Sequence, residues 1–416
     1  MSADALSDGS KKKVEENHLG MPEGQTINDP STKSSQNISA YIHIPFCEHI
    51  CYYCDFNKVF LEGQPVDEYI EALLKEIELT LLRQPINEAE TIYIGGGTPT
   101  SLSANQLDRL LSGVHELLPT HTTKEFTVEA NPGDLSEEKM LVLKNHQVTR
   151  LSMGVQTFDN RLLKKIGRKH TAEDVYSTIQ LLEKHDFQNV TIDLIYALPG
   201  QSIESFRDTL TRAIDLGLPH YAMYSLILEN KTMFMNWVRQ GRMALPSQEA
   251  ETQMFDEAIA AMTKAGLNQY EISNFARPGY ESLHNLVYWN NEHYFGFGAG
   301  ASGYLGQTRY KNKGPIQHYL KPLQENQLPI HETEELTTSN QMEEELFLGL
   351  RKKAGISKIR FAEKFGKSFQ EIYGSTSEQL IQKGWLASQG DRVFLTKAGM
   401  FIGNEVFEAF LLDGEK

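Results

Sequence analysis

Residues 40–56 read AYIHIPFCEHICYYCDF. A short apolar run over residues 40–46 has the length and composition of a buried strand. It passes directly into a CxxxCxxC loop formed by Cys47, Cys51 and Cys54. These are the only three cysteines in 416 residues. A disulfide framework uses an even number and belongs to small secreted chains. Three thiolates on one tight loop can instead hold three irons of a [4Fe-4S] cubane, which leaves the fourth iron without a protein ligand. The competing reading is a zinc site completed by His43 or His49. Zinc ligands usually come as two pairs separated by a longer loop, and no second cysteine pair exists here.

An open iron is a binding position, as the open site of a catalytic metal is. S-adenosylmethionine can chelate such an iron through its amino and carboxylate groups. An electron from the cluster would then break a carbon–sulfur bond and release a 5′-deoxyadenosyl radical. That chemistry belongs to the cofactor, and the protein positions it.

Outward from this loop, apolar runs at residues 91–95, 125–130, 150–155, 190–196 and 220–226 alternate with amphipathic stretches at 66–82, 104–118, 136–145, 172–184 and 202–216. Strand, helix, strand in this order predicts parallel βαβ units closing into a barrel or a doubly wound sheet. Residues 1–37 are polar, with no apolar period, and read as a disordered tail. A core over 38–270 is followed by a less regular extension over 271–332. Residues 333–416 change character: helices at 340–353, 357–365 and 377–383, a ribbon at 385–396 and a last helix predict a winged-helix-like domain.

Hydrophobic residues make up 40% and charged residues 23%, ordinary for a globular protein. The net charge of −15 disfavours nonspecific nucleic-acid binding, which needs a surplus of Lys and Arg. No apolar run approaches the roughly 18 residues of a membrane span, so an integral membrane protein is not expected. The N-terminus has neither an apolar signal region nor an arginine before Arg83, so a cytoplasmic location is expected.

In barrel-like α/β folds the active site lies at the C-terminal ends of the strands. Polar groups collect there. GGGTPT, residues 95–100, follows the second strand, and its glycines let backbone approach a ligand. Glu129 ends the third strand in VEANPG, Gln156 the fourth in SMGVQTF, and Asp193 lies on the fifth in IDLIYALPG. Arg168 follows in GRKH. Carboxylates suit ribose hydroxyls and an amino group, and the guanidinium suits a carboxylate.

Taken together, YIHIPFCEHICYYC, GGGTPT, VEANPG, GVQTF and DLIYALPG resemble the radical S-adenosylmethionine proteins related to oxygen-independent coproporphyrinogen III oxidase. The resemblance runs over about residues 38–410. It implies an α/β fold, an incomplete (β/α)6 radical S-adenosylmethionine barrel. It also implies that Tyr41, Gly96, Gly97, Thr98, Glu129, Gln156, Arg168 and Asp193 match positions contacting S-adenosylmethionine. The oxidase pattern has a fourth cysteine where Phe56 stands, so coproporphyrinogen oxidation is not expected. HNLVYW, residues 284–289, matches the HNxxYW pattern of the heme-chaperone branch. That match implies heme held by His284, Asn285, Tyr288 and Trp289. An imidazole is an ordinary axial ligand, and the aromatics offer flat faces.

Three functions follow from these readings. The first is a heme chaperone passing heme to acceptor proteins, with its cluster and S-adenosylmethionine supporting transfer or dimer formation. The second is a coproporphyrinogen III oxidase, against which Phe56 and HNLVYW count. The third is a radical enzyme acting on RNA, against which the net charge counts.

Overall fold

The computed structural model describes residues 37–412. The tail expected over 1–37 lies outside the described residues, except for Asn37, which opens the first strand. Six strands follow in chain order: β1 (Asn37–Ile44), β2 (Glu88–Gly96), β3 (Glu125–Ala130), β4 (Arg150–Gln156), β5 (Val190–Tyr196) and β6 (His220–Ser225). Each pairs in parallel with the next. Helices return the chain between each strand and the next, and local sequence explains where these begin. Ser103 and Thr171 form capping boxes with Gln106 and Asp174, and Ser136 and Ser202 cap two more helices. Each cap is worth about 1 kcal/mol. In the helix Ala104–Leu117, Leu107, Leu110, Leu111 and Val114 recur at helical spacing and are buried.

The barrel does not close. The outer edge of β6 pairs with the antiparallel strand Asn274–Ala276, and that of β1 with the parallel strand Tyr294–Phe297. This is the incomplete (β/α)6 barrel of the α/β class. The region beyond residue 270, expected to be irregular, instead extends the sheet. Strands Tyr294–Phe297, Ser302–Leu305, Thr308–Asn312 and Ile330–Glu335 continue it past β1 to a total of twelve strands. The sequence hides the first two because they carry glycine where close packing forbids a side chain. A Cβ on Gly296 would lie 2.0 Å from the Ser302 carbonyl oxygen, and one on Gly303 would lie 2.3 Å from the Tyr310 ring.

The boundary expected at residue 333 therefore falls inside a strand of the main sheet. A second core begins with the helix Thr338–Gly349. Helices Lys358–Phe365 and Phe369–Gln382 follow, with a small sheet of Ile356–Ser357, Leu386–Gln389 and Arg392–Leu395. Three helices and a ribbon are the winged-helix-like pattern. No helix among the described residues is long and apolar enough to cross a membrane.

Side chains alternate across a strand with period two. Ser39, Tyr41 and His43 on β1 therefore share a face, as do Thr91, Tyr93 and Gly95 on β2 and Glu125, Thr127 and Glu129 on β3. Hydrogen bonds between Thr91 and Ser39 and between Tyr93 and Glu129 place that face in the barrel interior. A polar lumen thus sits behind strands that read as apolar runs.

Candidate functional site

The cysteine loop is clamped at both ends. Phe46 and Cys47 pair in parallel with Val59 and Phe60, so the chain leaves and re-enters side by side. The two tyrosines between Cys51 and Cys54 anchor it. The Tyr52 amide donates to the Ile166 carbonyl at 3.1 Å, and the Tyr52 carbonyl accepts from the Phe234 amide at 3.1 Å. The Tyr52 ring meets Trp237 edge-on at 5.1 Å. Tyr52 and Tyr53 pack on a separate apolar cluster that includes Leu162, Ile166 and Phe234. Cys47 is buried, while Cys51 and Cys54 are half-buried. Burial pushes the Cys47 thiol up to about 11 and raises that of Cys54.

Beside this loop, three glycines make room. A Cβ on Gly95 would lie 2.7 Å from both the Glu129 carboxyl carbon and the Tyr93 ring. One on Gly96 would lie 2.3 Å from the His43 ring, and one on Gly97 2.6 Å from the Phe46 carbonyl oxygen. The Gly97 amide donates to the Ile44 carbonyl and the Thr98 amide to the Phe46 carbonyl, both at 2.8 Å. Thr98 Oγ1 lies 3.8 Å from Cys47 Sγ. The GGGT turn is thus laced to the strand that delivers the cysteines.

Glu129 accepts from the Tyr93 hydroxyl at 2.7 Å and from the Gly96 amide at 2.9 Å. Asp193 accepts from Ser152 Oγ at 3.3 Å. Burial raises the pKa of Glu129, and burial together with the Glu129 charge pushes that of Asp193 up to about 7. Arg168 donates to Asn131 Oδ1 at 2.6 Å, and Asn131 donates to Thr98 Oγ1 at 3.0 Å. Burial opposes the Arg168 charge, but Tyr53 and the thiols of Cys51 and Cys54 more than offset it. Gln156 sits at a register shift in β4 with φ of 66°, a left-handed conformation that side chains pay strain to adopt. A Cβ on Gly154 would lie 2.6 Å from an Arg168 nitrogen, so this glycine admits the guanidinium.

The donor set fits the groups that the sequence suggests. Two buried carboxylates whose protons are held chiefly by burial call for a cationic ligand, and an ammonium or sulfonium supplies one. Arg168 Nε is buried with no hydrogen-bond partner, which suits a ligand carboxylate. The three thiols lie close enough to act on one another electrostatically. Among the described residues no three His, Cys, Asp or Glu side chains converge on one metal position. Tetrahedral zinc needs such convergence, whereas cubane thiolates each hold a different iron. His43 is also occupied: Nε2 donates to the Asn57 carbonyl at 2.7 Å, and Nδ1 accepts from the Tyr41 hydroxyl at 2.9 Å.

HNLVYW lies elsewhere. It forms the helix Leu283–Trp289, whose N-terminus caps onto Glu125 at the start of β3, so it closes the end of the barrel opposite the cysteines. His284 is 1% exposed. Its Nδ1 is 2.7 Å from Thr91 Oγ1 and its Nε2 2.9 Å from the Tyr288 hydroxyl. Tyr288 packs edge-on against Tyr294 at 4.7 Å, and Arg351 of the C-terminal domain lies 5.3 Å from the Trp289 ring. Asn285 is half-buried, and its amide donates to the capping Ser282 hydroxyl. The segment expected to hold heme is a plug in this structure, and His284 presents no free nitrogen.

Sequence reasoning weighed His43 only as a zinc ligand and passed over Tyr93, Asn131, Ser152 and Gly154. Strand alternation was the available signal for Tyr93, which shares parity with Gly95.

The fold and the site define a radical S-adenosylmethionine protein. The model of the radical SAM superfamily matches residues 41–213, and that of the HemN C-terminal domain matches residues 336–402. Coproporphyrinogen III oxidase (HemN) from Escherichia coli superposes with a TM-score of 0.79 at 23% identity, over 90% of this chain and 89% of that one, a likeness of fold. Proteins named heme chaperone HemW are similar over nearly their whole length. The one from Bacillus subtilis is 50% identical over 90% of this chain and 99% of its own. The one from Lactococcus lactis is 52% identical over 90% and 97%. The chain belongs to the HemW family. Membership of the radical SAM superfamily implies a [4Fe-4S] cluster and S-adenosylmethionine.

Proposed function

We propose that this protein is a heme chaperone, binding heme and passing it to acceptor proteins. Cys47, Cys51 and Cys54 hold a [4Fe-4S] cluster, and Tyr41, Gly96, Gly97, Thr98, Glu129, Gln156, Arg168 and Asp193 receive S-adenosylmethionine. The observation that carries the reading is the 50% identity over 99% of the length of a protein named heme chaperone. Phe56 adds to it: the side chain standing at the oxidase's fourth cysteine is 61% exposed and offers no ligand.

In this reading Glu129 and Asp193 orient the ammonium and ribose of the cofactor, and Arg168 takes its carboxylate. The cluster and cofactor, when bound, supply one-electron chemistry. Tyr52 and Tyr53 keep the cysteine loop rigid beneath them. His284, Asn285, Tyr288 and Trp289 are the proposed heme contacts. Because both ring nitrogens of His284 are engaged, ligation through it requires the plug helix to withdraw from the barrel floor.

The test offers heme and coproporphyrinogen III in parallel to anaerobically purified protein with a reconstituted cluster. The chaperone reading expects a Soret band, transfer of that absorbance to an apo acceptor and no protoporphyrinogen IX. Robust turnover without heme binding would replace it with the oxidase reading. His284→Ala should shift the Soret band if the helix does withdraw, and an unchanged spectrum would move heme to other ligands.

A further inference from the structure

We infer that His284 is a positioning residue for the S-adenosylmethionine pocket: from the barrel floor it holds Tyr93, and Tyr93 aims the carboxylate of Glu129. The inference rests on the assignment of Glu129 to that pocket. It gives the plug helix a role in the plugged barrel that requires no heme.

The hydrogen-bond network sets the tautomer. Thr91 Oγ1 donates its single hydrogen to Ser39 Oγ at 2.9 Å, so toward His284 it can only accept. Nδ1 therefore carries the proton and donates to Thr91, and Nε2 accepts from the Tyr288 hydroxyl. Burial keeps the ring neutral, pushing its pKa down to about 3. Both nitrogens being fixed, the plane of the imidazole is fixed as well.

That plane stacks on Tyr93, with ring centroids 5.2 Å apart and an interplanar angle of 30°. Tyr41, the register partner of Tyr93 on the neighbouring strand, stacks on it at 6.1 Å and 27°. Two aromatic neighbours thus pack on Tyr93 and restrain its ring. Its hydroxyl then meets Glu129 Oε1 at 2.7 Å while the Gly96 amide meets Oε2 at 2.9 Å. With one donor on each oxygen, the carboxylate plane is set and a lone pair on each oxygen remains for a ligand. Gly95 completes the device, since any Cβ there would strike both Tyr93 and Glu129.

The test measures S-adenosylmethionine affinity of the full chain with its cluster reconstituted, in wild type and in Glu129→Gln, Tyr93→Phe, His284→Ala, His284→Gln and the double variant His284→Ala/Tyr93→Phe. Glu129→Gln should weaken binding about ten- to a hundredfold, the loss of a charge-assisted contact. Tyr93→Phe and His284→Ala should each weaken it by about three- to tenfold, with cluster absorbance unchanged. The double variant should be no weaker than Tyr93→Phe alone, because the two act in series. His284→Gln keeps hydrogen-bonding atoms but loses the ring, so it should bind as weakly as His284→Ala. It also stands in if the alanine variant fails to fold. Unchanged affinity in the histidine variants, or strict additivity with Tyr93→Phe, overturns the inference while Glu129→Gln still weakens binding. An unaffected Glu129→Gln would instead remove the pocket assignment beneath it.

Discussion

Replacing Glu125 by alanine should destabilise the barrel by about 3 kcal/mol. Its buried carboxylate accepts four hydrogen bonds: from Arg150 Nε at 2.9 Å, the His284 amide at 3.0 Å, the Leu283 amide at 3.1 Å and the Ser282 hydroxyl at 3.3 Å. It is both the counter-ion of a buried arginine and the N-terminal acceptor of the plug helix. Removing one member of a buried ion pair costs about 3–5 kcal/mol, because the other charge stays buried. Arg150 keeps contacts to Thr191 Oγ1 and to the Tyr280 and Glu281 carbonyls, which places the loss at the lower end of that range. Equilibrium urea denaturation gives the stability change. Native-state hydrogen exchange should show the amides of Leu283–Trp289 losing protection ahead of the strands. Glu125→Gln keeps an acceptor and should cost less, and Glu125→Ala with Arg150→Met should recover much of the loss, since no charge is then stranded. A cost under about 1 kcal/mol for Glu125→Ala, or no recovery in the double variant, would refute the account of how the floor is held.

Three further outcomes are expected. Alanine at Cys47, Cys51 or Cys54 should abolish iron–sulfur absorbance, and a triple variant still carrying iron and sulfide would defeat the cluster assignment. Gly97→Ala should impair cluster assembly in the folded protein, because its Cβ meets backbone atoms of Ile44, Pro45 and Phe46 that cannot swing aside; full iron content in this variant would show the turn to be pliable. Asp193, with its pKa pushed up to about 7, holds its proton to higher pH when folded than when unfolded, where a carboxyl titrates near roughly 3.9. Its contribution to the stability of the ligand-free protein is therefore lost as pH rises from about 4 through about 7. Binding of cationic S-adenosylmethionine should run the other way, strengthening by about tenfold between about pH 6 and 8 in wild type. Asp193→Asn should show neither dependence, and a wild type without either would mean that Asp193 titrates as an ordinary carboxylate.

Chemistry that is local in sequence was legible there. CxxxCxxC after a strand pointed to the radical SAM superfamily, whose model matches residues 41–213, because residues of one loop are held together by the chain between them. The strand–helix alternation named the barrel, since parallel pairing with right-handed crossovers leaves few other arrangements. The glycines of residues 95–97 were visible as a close approach, although what approaches was not. The strands at 294–297 and 302–305 were not legible, because Gly296 and Gly303 remove the very side chains that mark a strand.

HNLVYW shows where sequence stops. An imidazole, a phenol and an indole within six residues read equally well as a heme platform or as a packed helix. The tertiary structure settled their resident environment by bringing Thr91 to His284 across 193 residues. It set the ring's tautomer through Ser39 and placed Glu125 under the helix N-terminus. The lumen was hidden for the same reason. Thr91, Tyr93, Glu125 and Glu129 interrupt apolar strands at every second position, and only barrel curvature turns those positions inward toward one another. Residue types and spacing determine what a segment can bind; which partners satisfy its buried polar atoms depends on contacts distant in the chain, and these exist only once the sheet has curled.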